Sequence, residues 1–342
     1  MAIEGLTENE LIHMQNKGLL ETGVMTEIPL QQPTSENDRL ERLKEAVATV
    51  NKIIMGKEQQ VMLAFSCLLA RGHLLIEDLP GVGKTTLAHA LATVIGVRYQ
   101  RIQFTSDLLP ADILGVSIYR RDLEKFEFHP GPIFAELVLA DEINRATPKS
   151  QSALLEAMAE GQVTIEGVTH MLPSPFFVIA TQNPLDLVGT FPLPDSQLDR
   201  FLLSISLGFP EPEVERELLT AQDRISMLLD TPAVISPHDV LQLSQDCQKI
   251  HVSEALLDYV QALLAETRSS RWFEVGLSPR AGIVLLHCSK SYAFLQGRDF
   301  AIPEDVKAIF PSLARHRMTV PHGMESSVEE QIAGLLNQVA IP

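Results

Sequence analysis

The chain has 342 residues, 45% of them hydrophobic and 21% charged, which is enough apolar material for a large core and excludes global disorder. Its formal charge of −17, from 44 acidic and 27 basic side chains, would repel a phosphate backbone and argues against nucleic-acid binding unless cations gather locally. Cys67, Cys247 and Cys288 form no CxxC pair and are odd in number, the pattern of packed, reduced thiols and not of a disulfide framework or a zinc site.

Residues 1–36 are polar and broken by Gly5, Gly18, Gly23 and Pro29, so a loosely held extension is expected, with one short helix near Glu8–Lys17. Its acidic start (Glu4, Glu8, Glu10) lacks the basic region of a signal peptide. Nowhere do roughly 20 apolar residues run together as a membrane span requires. The expectation is a soluble cytoplasmic protein with no transmembrane segment.

From Asn37, apolar residues fall at Leu40, Leu43, Val47, Val50 and Ile54, the three- and four-residue steps of a helix. A second apolar helix follows around Gln60–Ala70, then His73-Leu-Leu-Ile76 as a buried strand. The glycine-rich stretch Pro80-Gly81-Val82-Gly83-Lys84-Thr85 comes next, and Thr85–Ile95 has the pattern of a helix. Leu137–Ala140 and Phe176–Thr181 lack polar alternation, as buried parallel strands do. Strands alternating with helices predict an α/β, doubly wound sheet.

Two segments depart from that layout. Val116–Arg120 and Lys125–Phe128 alternate about Asp122-Leu-Glu124 as a hairpin would, and Gln162–Ile165 pairs naturally with Val168–Leu172 across Glu166-Gly167. Pro210-Glu-Pro212 marks a boundary. Beyond it the pattern is helical, with Ser236-Pro237 and Ser278-Pro279 as capped helix starts. The organisation expected is an extension at 1–36, a nucleotide-binding α/β core at 37–210 with two hairpin inserts, and a helical domain at 211–342.

The glycine-rich stretch fits a phosphate-binding loop. Glycines let the backbone curl so that N–H groups converge on phosphate oxygens, and the helix beginning at Thr85 adds its positive dipole end. Lys84 would neutralise the outer phosphates, and the Thr85 hydroxyl would ligate Mg²⁺. Asp78 stands where the pattern has its first glycine, so its carboxylate is expected to face outward, away from the phosphates. The strand at Leu137–Ala140 delivers Asp141 and Glu142 at its C-terminal end, where ligands bind in open α/β sheets. Asp141 would hold Mg²⁺, and Glu142 would orient and polarise the attacking water. Asn183, ending the third strand in Gln182-Asn-Pro184, could hydrogen-bond the γ-phosphate or that water, although Asn-Pro alone is also a good turn.

These elements resemble those of AAA+ ATPases, and more closely of the MoxR branch. The resemblance rests on Ile54-Met-Gly56, Asp78–Thr85, Gln103–Gly115, Gly131–Phe134, Ala140–Ala146, Gln151–Met158, Ala180–Pro184, Gln197–Phe201 and Leu277–Ala281. It implies a three-layer αβα core with a parallel sheet and an all-helical lid, working as an ATP-hydrolysing ring, usually hexameric. Arg200 matches the arginine that reaches a neighbour's γ-phosphate, and Arg280 matches the lid arginine called sensor 2. Ile54 and Gly56 match the adenine-lining stretch, completing a nucleotide-binding set with Pro80, Gly81, Val82, Gly83, Lys84, Thr85 and Thr86. Arg145 is either an interface cation or a surface residue. The family likeness also implies chaperone-like remodelling or maturation of protein complexes, with von Willebrand factor A domain proteins as partners. The alternative is a nucleic-acid or chelatase-type motor, but in the first hairpin Asp122, Glu124 and Glu127 cancel Arg120, Arg121 and Lys125. None of the ten histidines has metal-ligand spacing.

Overall fold

The apolar runs become strands and the 3.6-period segments become helices, in an order that sets the site. The computed structural model describes residues 36–184, 188–220, 227–228, 230–269, 273–321 and 326–341. The helix expected near Glu8–Lys17 lies outside them. Helices α1 (Glu36–Ile53) and α2 (Glu58–Leu69) lead into β1 (Leu74–Glu77), α3 (Lys84–Ile95) and β2 (Tyr99–Gln103). A short α4 (Pro110–Leu114) introduces the first hairpin, β3 (Gly115–Arg120) and β4 (Lys125–Pro130). Then come β5 (Leu137–Asp141), α5 (Pro148–Glu160) and the second hairpin, β6 (Gln162–Ile165) with β7 (Val168–Met171). Strand β8 (Phe177–Gln182), α6 (Asp195–Leu198) and β9 (Leu203–Ile205) complete the α/β part.

Strands β2-β5-β8-β1-β9 lie side by side in one parallel sheet. Side chains alternate across it. Leu74, Ile76, Leu139, Ile179 and Leu203 share one core with α1, α2 and α3, while Leu75, Val138, Ala140, Val178 and Ala180 share another with α5. Helices on both faces give the expected three-layer αβα arrangement.

The elements that follow are helices: α7 (Pro212–Thr220), α8 (Pro237–Gln248), α9 (Glu254–Thr267), α10 (Pro279–Leu295), α11 (Pro303–Ala314) and α12 (Val328–Gln338). Four begin on a serine whose hydroxyl accepts from an otherwise orphan backbone N–H: Ser236, Ser253, Ser278 and Ser327. Leu243, Cys247, Tyr259, Leu285, Cys288 and Phe310 are buried in the same core as α2 and α3. The Tyr292 hydroxyl meets Gln59 Oε1 at 3.2 Å, and Arg39 meets Asp246 at 3.1 Å. The helical part therefore packs against one side of the α/β part within a single unit, Glu36–Pro342. Among the described residues no helix is long and apolar enough to cross a membrane.

Candidate functional site

Sheet register brings the phosphate loop and the carboxylates to one edge. Ile76 is paired with Thr181, and Ala140 with Ala180, so β1, β8 and β5 end nearly level. After β1 the chain turns into the loop, with Gly81 and Gly83 at φ of 82° and 97°. Those angles favour glycine, and a Cβ on either would meet nothing within 4 Å, so open space lies over the loop. Helix α3 starts directly from Gly83 with no side-chain cap, which leaves its first N–H groups for a ligand. Lys84 is buried, and its ammonium donates to the Asp78 carbonyl at 2.7 Å. Thr85 is exposed and Thr86 half-buried. Such a cradle suits a phosphate chain.

Asp78 is turned from the loop as expected, but into protein and not toward solvent. Its Oδ2 accepts from Leu207 N at 2.5 Å, Gly208 N at 2.7 Å and Ser206 Oγ at 3.0 Å, while Oδ1 accepts from Leu79 N at 2.9 Å. Burial pushes its pKa up. The hydrogen bonds from Gly208, Leu79, Ser206 and Leu207 outweigh that and hold the carboxyl below its usual range.

Asp141 is buried, its Oδ1 accepting from the Thr181 hydroxyl at 2.6 Å and its Oδ2 from the Arg101 guanidinium at 2.5 Å. Thr181 Oγ also accepts from Glu142 N at 2.8 Å, fixing both acids to β8. Glu142 has φ of 56°, a left-handed backbone rare outside glycine, and its Oε2 is held by Gln103 at 2.8 Å and Arg145 at 2.9 Å. Asn183 is buried just beyond the end of β8. Among the described residues no group of three or more His, Cys, Asp or Glu could hold a metal. Thr85 and Asp141 together suit a cation that arrives with phosphate oxygens, as Mg²⁺ does. Thr181, Arg101 and Gln103 were not foreseen. The alternation of Arg101 and Gln103 about Ile102 was their available signal, because it puts two polar groups on one face of a strand.

Arg200 does not join this cluster. It precedes β9, and Leu202 N donates to the His73 carbonyl at 2.9 Å, at the N-terminal end of β1. From His73 to Asp78 is five residues, roughly 16 Å of strand. Arg200 donates to the Leu155 carbonyl at 2.8 Å, and its buried Nε has no partner. Neither Asp195 nor Asp199 pairs with it; Asp199 instead binds Arg317 at 2.7 Å. Arg280 is exposed in the first turn of α10. Ile54 is buried in the core, and exposed Gly56 has φ of 69° against Val214 of α7.

Both hairpins form at the expected segments, the first closing with Arg120 opposite Lys125 and the second with Ile165 opposite Val168, and they meet each other. Phe128 stacks on His170 with ring centres 4.1 Å apart, and Phe134 packs beside both. Arg120 is neutralised within its hairpin by Asp122 at 3.0 Å and Glu127 at 3.3 Å.

Residues 73–203 match the model of the ATPase family associated with various cellular activities (AAA), and residues 265–334 match the AAA lid domain. YeaC of Bacillus subtilis (strain 168) is 42% identical over 303 residues, covering 88% of this chain and 95% of YeaC. Chaperone MoxR1 of Mycobacterium tuberculosis is 41% identical over 315 residues, covering 88% of this chain and 82% of MoxR1. A crystal structure of a candidate ATPase from Cytophaga hutchinsonii superposes with a TM-score of 0.81 at 35% identity, covering 89% of this chain and 96% of that one. A parallel αβα sheet, a glycine-rich loop and two strand-end carboxylates at one edge of it, a helical lid and these identities agree, and the chain belongs to the MoxR family of AAA+ ATPases.

Proposed function

We propose that this chain hydrolyses Mg-ATP at a site completed by a second copy of itself, in a ring. The observation that carries the proposal is the division of the functional groups between two edges of the sheet. Lys84, Thr85, Asp141, Glu142 and Asn183 belong to the C-terminal edge, whereas Arg200 precedes β9 at the other. A side chain at the far end of β1 cannot span that length to its own loop, but it can reach the loop of a neighbour. Arg280, exposed in the first turn of α10, would be the lid's contribution.

Pro80, Gly81, Val82, Gly83, Lys84, Thr85 and Thr86 would hold the phosphates, with Ile54 and Gly56 beside the base. Bound Mg-ATP supplies the reactive phosphoryl group and the charge of the cation, held by Thr85 and Asp141. The Glu142 carboxylate orients water and takes up its proton, which requires release from Gln103 and Arg145. Asn183 fixes the position of that water. For Asp141 to hold a cation, its Oδ2 would have to be released by Arg101. The chaperone named among the relatives and the paired apolar hairpins favour work on protein complexes. The partner proposed from family likeness alone is a von Willebrand factor A domain protein, and the location proposed is the cytoplasm. The internal neutralisation of Arg120 gives no support to a nucleic-acid motor.

Glu142→Gln tests the chemistry. The variant is expected to bind ATP with wild-type affinity while turnover falls by roughly 10²–10⁴. Wild-type turnover in this variant would remove Glu142 from its role.

A further inference from the structure

The lid carries one arginine whose hydrogen-bonding capacity is spent almost entirely on the segment around Arg200. Arg317 lies three residues beyond α11 and is nearly inaccessible, its side chain 6% exposed. Its Nε donates to Asp199 Oδ1 at 2.7 Å, one Nη to the Leu202 carbonyl at 3.0 Å, and the other to the Phe201 carbonyl at 2.6 Å and the Asp199 carbonyl at 3.4 Å. A further bond, to the Leu313 carbonyl at 2.6 Å, ties the guanidinium to the last turn of α11. The residues on both sides of Arg200 are thus held by a single side chain from the lid. His316 adds a contact to the Phe201 carbonyl at 3.1 Å.

The chemistry of the clamp is specific. The planar guanidinium directs donors outward in a fixed fork, so one group can serve several carbonyls and a carboxylate at once. A lysine carries the same charge but only three donors on one atom. Burial draws the pKa of Arg317 down, and Asp199 opposes that, so the buried cation is paired. Asp199 cannot then pair with Arg200, whose Nε stays without a partner. The clamp grips the backbone beside Arg200, whose own side chain is held at the Leu155 carbonyl and not by the clamp.

We infer that Arg317 is a positioning residue that fixes Arg200 to the lid, so that lid movement in one subunit is felt at the nucleotide of the next. This rests on Arg200 acting in a neighbour's site. A group displaced by about 1 Å can lose ~10²-fold in rate with little change in ligand affinity. A loss of Arg317 would therefore appear in kcat and not in ATP binding, and at the neighbouring site.

The test uses full-length assemblies of mixed composition. Arg317→Lys alone is expected to bind ATP as the wild type does, with turnover reduced by roughly 10²-fold. Adding Lys84→Ala subunits, which cannot use ATP but keep an intact Arg200 and Arg317, is expected to restore turnover at shared interfaces. Lys84→Ala/Arg200→Ala subunits should restore none. Arg200→Ala is run in parallel. If it is rescued and Arg317→Lys is not, Arg317 is structural and the inference is wrong. If Arg317→Lys turns over at the wild-type rate, the inference is also wrong. If Arg200→Ala itself is not rescued, the shared site fails and takes the inference with it. Asp199→Asn, which weakens the clamp without emptying it, covers the case in which Arg317→Lys does not fold: it should lose turnover more mildly and be rescued by the same partner, and a loss that is not rescued would overturn the inference.

Discussion

Asp78 stands where the phosphate-loop pattern has its first glycine, and the reason is local bonding. It does not share the positive φ of Gly81 and Gly83, so its backbone makes no demand for glycine. Its carboxylate instead closes the turn after β9 by accepting from Leu207 and Gly208, and Leu207 N has little access to water. Asp78→Gly would bring the sequence closer to the pattern, yet it should destabilise the fold. An acceptor on buried donors contributes about 2–3 kcal/mol when charged. A loss of about that size is expected in urea unfolding at pH 7, with ATP affinity little changed. A variant as stable as the wild type would show that the turn does not need the carboxylate. Because the folded-state pKa is depressed, this contribution is present above the ordinary carboxylate range and is lost as pH falls through the folded value. The places of Lys84, Thr85, Asp141, Glu142 and Asn183 were legible in the sequence, since local spacing ties each to a strand end or the loop. Thr181, Arg101 and Gln103 were not, since their contacts depend on which strands become neighbours.

Each hairpin was legible from its alternation, but its anchorage was not. The first hairpin leaves the α/β part between Gly115 and Gly131, which pass in close contact. A Cβ on Gly131 would lie 2.3 Å from the Ile113 carbonyl oxygen and 2.6 Å from Gly115 N. Both are backbone atoms, so no side chain can rotate to make room. Gly131→Ala is expected to cost about 2 kcal/mol in chemical denaturation, within the range for forced backbone displacement. Gly161→Ala is the control for the second hairpin, because a Cβ there meets nothing and only its φ of 63° is unfavourable. Equal losses in the two variants would show that close packing at Gly131 is not limiting. Strands β2 and β9 escaped the sequence for a related reason. Both are edge strands; Tyr99–Gln103 is largely exposed, and Leu203–Ile205 has only three residues. Neither has the apolar run that reveals a central strand.

At the scale of the molecule, the N-terminal edge of the sheet is a seam where the helical part is fixed to the α/β part, and two buried histidines sit along it. His73 Nδ1 accepts from Val178 N at 3.1 Å, and its Nε2 faces the Met158 carbonyl at 3.3 Å. The neutral ring satisfies both contacts, whereas a second proton would point Nδ1–H at a backbone N–H. Burial lowers its pKa to about 4, and burial with the charge of Arg317 lowers that of His316 to about 3. In the unfolded chain both return to about 6.5. Above that value neither state binds the proton and the groups contribute no pH dependence. Between about 6.5 and the folded values only the unfolded chain is protonated, so stability falls as pH falls. At pH 5 each histidine should have removed about 2 kcal/mol relative to pH 7. Urea midpoints measured across this interval should therefore decline steeply. In His73→Gln the decline from pH 7 to pH 5 should be smaller by about 2 kcal/mol, whatever the stability of that variant at pH 7. An unchanged decline would mean that His73 is already protonated in the folded protein.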